Sequence, residues 1–224
     1  YQQVLIDQSV HQALTRSILL ALSSATVATM LGTLAAIAVS RSGRWGRALL
    51  EVSGQVALLI PEIVFALSLL TWFFLLGWPL SLGTVFVAHV TFSVCFVLMT
   101  VLARLHGFDP SVENAARDLG ASEARVLWTI TLPLLRPAIL SGFVLALLIS
   151  FDDFLITFFV NGVGTDTLPV KLYTSLKSGL SPKLNALAAL MSLCTAVLLV
   201  LLFRSPLGVS WRRGHGVGLK SDQS

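Results

Sequence analysis

Residues Ala138–Val160 read AILSGFVLALLISFDDFLITFFV. The run is 23 residues long, carries no basic residue, and matches the roughly 20 residues that a helix needs to cross a bilayer. Its one anomaly is the adjacent pair Asp152-Asp153. Four further apolar runs surround it, at about Ser17–Val39, Ala57–Leu76, Thr84–Ala103 and Leu184–Phe203, and in chain order the five are called A to E. Over the 224 residues 55% are hydrophobic and 12% charged, against about a quarter charged in a soluble domain. No stretch shows the alternating pattern of a membrane barrel, and helices are the other structure that satisfies its own backbone in lipid. The expected fold class is therefore all-α, a polytopic transmembrane helical bundle over residues 1–203 followed by a basic tail, 204–224.

Basic residues orient the bundle, because Lys and Arg are retained on the cytoplasmic side. One side collects Arg41, Arg44, Arg47, Arg104, Arg117, Arg125, Arg136, Arg204, Arg212, Arg213 and Lys220; the other holds Arg16, Lys171, Lys177 and Lys183. The loops after A, C and E are thus cytoplasmic and the first residues external. A chain that starts outside with Tyr1 implies an upstream helix, with a cleaved signal peptide as the competing account. The net charge of +4 follows from the loop bias and asks for no nucleic-acid partner. Cys95 and Cys194 lie within runs C and E and read as small packing residues, not a disulfide or metal pair. Gly214–Ser221, GHGVGLKS, only imitates a phosphate loop, since Leu219 parts the glycine from the lysine.

Two carboxylates inside run D cost about 2.5 to 3.5 kcal/mol each at a helix centre, so function, pairing or water must compensate them. The helical period through Asp153 gives Gly142, Ala146, Ser150, Asp153, Thr157 and Asn161, a small and polar stripe. Through Asp152 it gives Leu148, Leu155 and Phe159. Asp153, with Ser150 and Thr157, is accordingly expected to line a pathway, and Asp152 to pair with a neighbouring helix or subunit. Fixed negative charge favours a small cationic substrate, and Trp72, Phe73, Phe154 and Phe158 are candidates for cation–π contact. His89 reads as a hydrogen-bonded interhelical histidine, with a proton relay as the competing reading. Pro61-Glu62 reads as a first-turn cap near the cytoplasmic end of run B, with gating as the competing role, and Ala21, Ala25, Ala28, Gly32 and Ala36 as a close-packing face of run A.

The cytoplasmic stretch 104–137 is patterned as two short helices. Asp109-Pro110-Ser111 starts the first, Gly120 ends it, and Ser122 starts a second whose apolar face is Val126, Leu127 and Ile130. Leu132-Pro133 and Pro137 are expected to bound the entry into run D. Within this stretch Asn114-Ala115-Ala116, three residues, Gly120, nine residues, Ile130, one residue and Leu132-Pro133 resembles the EAA signature of binding-protein-dependent ABC importer permeases. Asn114 stands where that signature has Glu, and Glu113 precedes it. Further stretches, IPEIVFALSLL, FVAHVTFSVCFVLMTVLARLHGFDP, SFDDFLITFFVNG and LPVKLYTSLKSGLSPKLNALA, are similar to the permeases of spermidine and putrescine importers.

The resemblance implies a type I permease fold with six helices, of which this chain holds five. It implies a non-catalytic transport subunit that works with a second homologous permease, two ATPase subunits holding ATP and Mg, and a periplasmic binding protein. Glu113 to Pro137 would dock on the ATPase, and the external segment Asn161–Lys183, with Leu168, Leu172, Leu176 and Leu180 at a spacing of four, would help receive the binding protein. From pattern alone that segment is an interfacial amphipathic helix facing membrane lipid. Two other classes were weighed. Neighbouring aspartates on one helix cannot face each other as a hydrolase dyad, and Gly162-Val163-Gly164 is followed by Thr165, not Asp. An ion-coupled secondary transporter, or a permease for another amine-bearing solute, remains the alternative.

Overall fold

The computed structural model describes residues 7–177 and 182–204. Tyr1, Leu180 and the tail from residue 205, including the Gly214–Ser221 segment, lie outside the described residues. All regular elements among those residues are helical: α1 (Gln8–Arg41), α2 (Arg44–Leu59), α3 (Glu62–Leu75), α4 (Leu82–His106), α5 (Ser111–Asp118), α6 (Glu123–Val126), a π-helical turn (Leu127–Thr131), α7 (Leu132–Asp152), α8 (Leu155–Val160), α9 (Leu168–Lys177) and α10 (Pro182–Arg204). Three helical stretches, Gln8–Arg41, Leu82–His106 and the continuous Glu123–Asp152, are long and apolar enough to cross a membrane; Glu62–Leu75 and Asn185–Val197 are shorter apolar helices.

The core is built by α1, α4 and α7 packed on one another. The small-residue face of α1 makes this possible: Ala21, Ala25, Ala28, Gly32 and Ala36 are all buried. A methyl added at Gly32 would stand 2.7 Å from Val97 Cβ, so α4 approaches α1 more closely than alanine would permit. Val97, Leu102, Leu135, Leu147 and Phe151 fill the space around that contact.

Two of the five runs are broken, contrary to the unbroken helices expected. Run B, Ala57–Leu76, holds the last residues of α2 and then α3, with Ile60 extended at φ −68° and ψ 124° between them. The ring of Pro61 excludes helical backbone from the residue before it, and its nitrogen has no proton to continue the ladder. Glu62 therefore opens α3 near the start of run B, in the first-turn position expected of it, and α2 precedes it as a separate helix. Run D begins earlier and stops sooner than its hydropathy suggests. Pro133 and Pro137 do not bound the entry to it; they lie within one helical stretch that starts at Glu123. The π turn just before Pro133 explains the tolerance, since Leu132 N–H donates to Leu127 O and the widened register falls where the proline cannot donate. The stretch then breaks at Asp153, which is extended at φ −63° and ψ 128°, and α8 resumes beyond Phe154.

Candidate functional site

Helix α7 ends in a polar network at each side. At its N-terminal, or inner, end in the expected orientation, α5 and α6 form a knob. Asp109 accepts from Ser111 N–H at 2.9 Å, and that bond holds its carboxyl below the usual carboxylate range. At the other end of α5, Gly120 takes φ +83°, with Gly120 N–H bonded to Arg117 O at 2.8 Å and Ala121 N–H to Ala116 O at 3.0 Å. This is the Schellman pattern, and its left-handed residue is glycine because a side chain would strain there. Ser122 caps α6 by accepting from Arg125 N–H.

Arg117 joins the pieces. Its guanidinium donates to both Glu123 carboxylate oxygens, to Asn114 Oδ1 at 3.0 Å and to Glu113 Oε2 at 3.1 Å. Glu123 in turn lies 3.6 Å from Arg41 at the end of α1. The same pairing with Arg117 holds Glu123 below its ordinary carboxylate range, and the Arg117 guanidinium is raised by Glu123 first. Glu113 turns inward: its Oε1 accepts from Thr131 Oγ1, within the π turn, at 2.6 Å. Three large apolar side chains are exposed on the knob: Leu119 at 89%, Trp128 at 71% and Val112 of α5.

At the outer end of α7 the network is buried. Asp153, only 8% exposed, accepts at Oδ2 from Thr157 N–H at 2.8 Å and Thr157 Oγ1 at 2.7 Å, and at Oδ1 from Ile156 N–H at 3.3 Å. Its carboxylate thus caps the amides freed where the helix breaks. His89 on α4 sets Nε2 3.1 Å from Asp153 Oδ2 and 2.9 Å from Thr157 Oγ1, and Nδ1 2.7 Å from Ser150 Oγ. Ser150 meets Ser24 of α1 at 2.9 Å. Glu62, opening α3, brings its carboxyl to Asp153. Helices α1, α4, α7 and α8 meet here, and both helix breaks contribute.

The chain has relatives that fit this architecture. Residues 28–205 match the family model described as the binding-protein-dependent transport system inner membrane component. The chain belongs to that family. Among relatives of this permease, the spermidine/putrescine transport system permease protein PotC of Escherichia coli K12 is 40% identical over 200 residues, spanning 89% of this chain and 76% of that one. The putrescine transport system permease protein PotI of the same organism is also 40% identical, over 197 residues, 85% of this chain and 70% of that one. Two solved structures share the fold at low identity. They are the MetNI methionine ABC transporter facing inward (TM-score 0.70, 16% identical, 89% of this chain and 97% of that one) and a bacterial alginate ABC importer (0.73, 15%, 95% and 82%). The chain is a multi-pass permease of the inner membrane.

The permease fold distributes the residues singled out in the sequence. Glu113 and Asn114 both bind Arg117, Gly120 makes the elbow, and Ile130, Leu132 and Pro133 lie in or just after the π turn, so the signature spans two helices and their joint. Ala115 and Ala116 belong to α5, none of whose residues is buried. In run D the stripe Gly142, Ala146, Ser150, Asp153 and Thr157 is buried against other helices of this chain. Asp152 is the exposed member of the pair and accepts from Thr195 Oγ1 of α10 at 3.0 Å. Phe154 and Phe158 stack with each other and with Tyr173 of α9, at 4.6 Å and 5.5 Å from its ring; Lys177 lies 4.9 Å over that same ring. Trp72 is exposed on α3 while Phe73 is buried against Trp78.

Three participants were not read as such in the sequence. Glu62 was taken for a terminal cap, Arg117 for an orientation charge, and Thr131 for a spacer. Pro61 within an apolar stretch was the available signal for the first. Arg117 stands four residues after Glu113, a helical ion-pair spacing, and that pattern could have found the second.

Proposed function

We propose that this permease is the membrane-spanning subunit of an ATP-driven importer of polyamines, and that its knob, Glu113 to Pro137, docks on a separate ATPase subunit. The observation that carries the solute is the 40% identity, along most of the chain, to permeases named for spermidine and putrescine. The chemistry agrees: Asp152 is the exposed carboxylate at the break in run D, and an aromatic cluster of Phe154, Phe158 and Tyr173 is built from the residues that follow the break and from α9. A polyamine is a flexible polycation, and carboxylates with aromatic faces suit its ammonium groups. Partners in this reading are two ATPase subunits that hold ATP and Mg, a second homologous permease and a periplasmic binding protein. In this reading ATP is held by those partner subunits, and this chain acts by alternating access.

The knob suits docking because Glu113, Arg117 and Glu123 brace it from within and the apolar side chains Val112, Leu119 and Trp128 are exposed on it. Force on α5 passes through Arg117 and Glu113 to the π turn and so to α7. The test is uptake of labelled putrescine and spermidine in proteoliposomes holding the whole importer. Uptake is expected to require internal ATP and this chain. Uptake that continues without ATP, or with this chain left out, overturns the importer; ATP-driven uptake of another solute in place of polyamines overturns the solute.

A further inference from the structure

We propose that α1 is a second transmission member of this permease, fastened to the knob by Arg41 and to the outer segment α9 by Ser17, so that movement of the knob reaches α9 without passing through the break in α7. The proposal rests on the reading of the knob as the part that docks on the ATPase. At its inner end α1 finishes on Arg41, whose Nη1 lies 3.6 Å from Oε2 of Glu123, the first residue of α6. Glu123 also accepts from the Arg117 guanidinium, so one carboxylate joins α1 to both helices of the knob. Beside it Leu127 and Leu132 pack against the buried cluster that includes Ile37 and Val39 of α1.

At its outer end α1 holds the start of α9. Ser17 Oγ accepts from Leu168 N–H at 2.8 Å, and both residues are buried. That amide is one of the first-turn donors that a helix leaves without an internal partner, and the serine supplies the acceptor where water does not reach. Val10 of α1 and Leu168 share one buried cluster, with Leu14, Ile18 and Leu172 packed against it. Between Ser17 and Arg41 the helix is unbroken, about 36 Å at 1.5 Å per residue. The other route from the knob to α9 is interrupted three times: α7 breaks at Asp153, α8 ends at Val160, and a turn with Gly164 at φ +76° precedes Leu168. Rigid elements carry coupling between sites about 20–40 Å apart, and here the unbroken one is α1.

Arg41 and Ser17 are thus positioning residues at two points of one helix, and their effects should not be independent. The experiment measures solute moved per ATP hydrolysed by the whole importer in proteoliposomes, for Arg41→Gln, Ser17→Ala and the two together. Each single variant is expected to lower the ratio, Arg41→Gln by up to about five-fold, the range that an exposed ion pair can supply. Arg41→Lys, which keeps the charge, should retain most of it. The double variant should be no worse than the more impaired single one, although substitutions so far apart ordinarily add. Additive losses, an unchanged ratio in either single variant, or a failure of Arg41→Lys to retain coupling overturns the proposal. A native importer without ATP-driven uptake defeats the docking reading and this proposal together, whereas a native importer that couples beside variants whose losses add defeats this proposal alone. Should Ser17→Ala not assemble, a spin label at Leu176→Cys, on exposed α9, decides with Cys95 and Cys194 replaced by alanine. Its spectrum is expected to change on ATP binding with Arg41 present and to stay unchanged in Arg41→Gln; a change kept in Arg41→Gln, or absent with Arg41 present, overturns the proposal.

Discussion

The two ends of α7 carry the same kinds of side chain to different effect. At the knob end Arg117 meets Glu113, Glu123 and Asn114 at a partly exposed surface. At the far end His89 and Asp153 meet with side chains only 2% and 4% exposed. Exposed ion pairs contribute about 0–1 kcal/mol, whereas leaving a buried polar group without its partner costs about 1–3 kcal/mol. The inner network can therefore yield and re-form under load, and the outer one holds a fixed shape. Between them lies a rod of 21 residues, about 31 Å long at 1.5 Å per residue. A permease that converts a push on its knob into a change of access needs a compliant end and a rigid one.

The largest effect expected is from unpairing the rigid end. Asp153→Asn leaves one oxygen to accept where the carboxyl offers two, and should cost about 1 to 3 kcal/mol, lower the melting temperature of the purified subunit in detergent, and abolish uptake. Combining it with His89→Gln replaces both partners and retains amide hydrogen bonding, so the double variant should melt above Asp153→Asn. Additive losses would show that the contact between these two side chains is not what ties the break together.

A smaller effect is expected at the joint. Thr131→Val removes the hydroxyl that donates to Glu113 and should cost about 1 kcal/mol. Its larger signature lies in coupling, with less solute moved per ATP hydrolysed while the knob still binds the ATPase. An unchanged ratio of transport to hydrolysis would leave Glu113–Thr131 as a local bond with no part in transmission. Gly120→Ala, at φ +83°, should cost a similar amount, about 1 kcal/mol, by straining the elbow.

The sequence made the bundle and the knob legible for the same reason: both are written locally. Long apolar runs declare helices, and Asp109, Gly120 and Ser122 declare starts and stops within a few residues. The broken helices were less legible because hydropathy does not register a break; Asp152-Asp153 marks a polar interruption in Ala138–Val160 but not a change of backbone, and the residues just before Pro61 read as one run with those after it. Periodicity through Asp153 grouped Gly142, Ala146, Ser150 and Thr157 on one face of run D, and that face, expected to line a pathway, is packed against other helices of this chain. What covers that face was beyond a one-dimensional reading. His89 lies 64 positions from Asp153, and Ser24 lies 126 from Ser150, so nothing in local pattern could announce that they meet.

The smallest effect is the one that separates the two ends by pH. Pairing with Arg117 holds Glu123 below its ordinary range, so any stability it contributes is present above the unfolded value and is lost only as pH falls through the lower folded value. Over the weakly acid to neutral range, then, the Arg117–Glu123 link should not change. Raising salt should weaken it, because exposed charges are screened within about 10 Å at 0.1 M. Hydrogen exchange of α5 amides in the intact importer measures this directly: exchange should be flat from neutral to mildly acid pH after correction for intrinsic rates, and should quicken with salt. Amides of α8, capped by buried Asp153, should respond to neither. A salt response in α8 as strong as that in α5 would mean the outer network is wet, and the contrast between a compliant and a fixed end would fail.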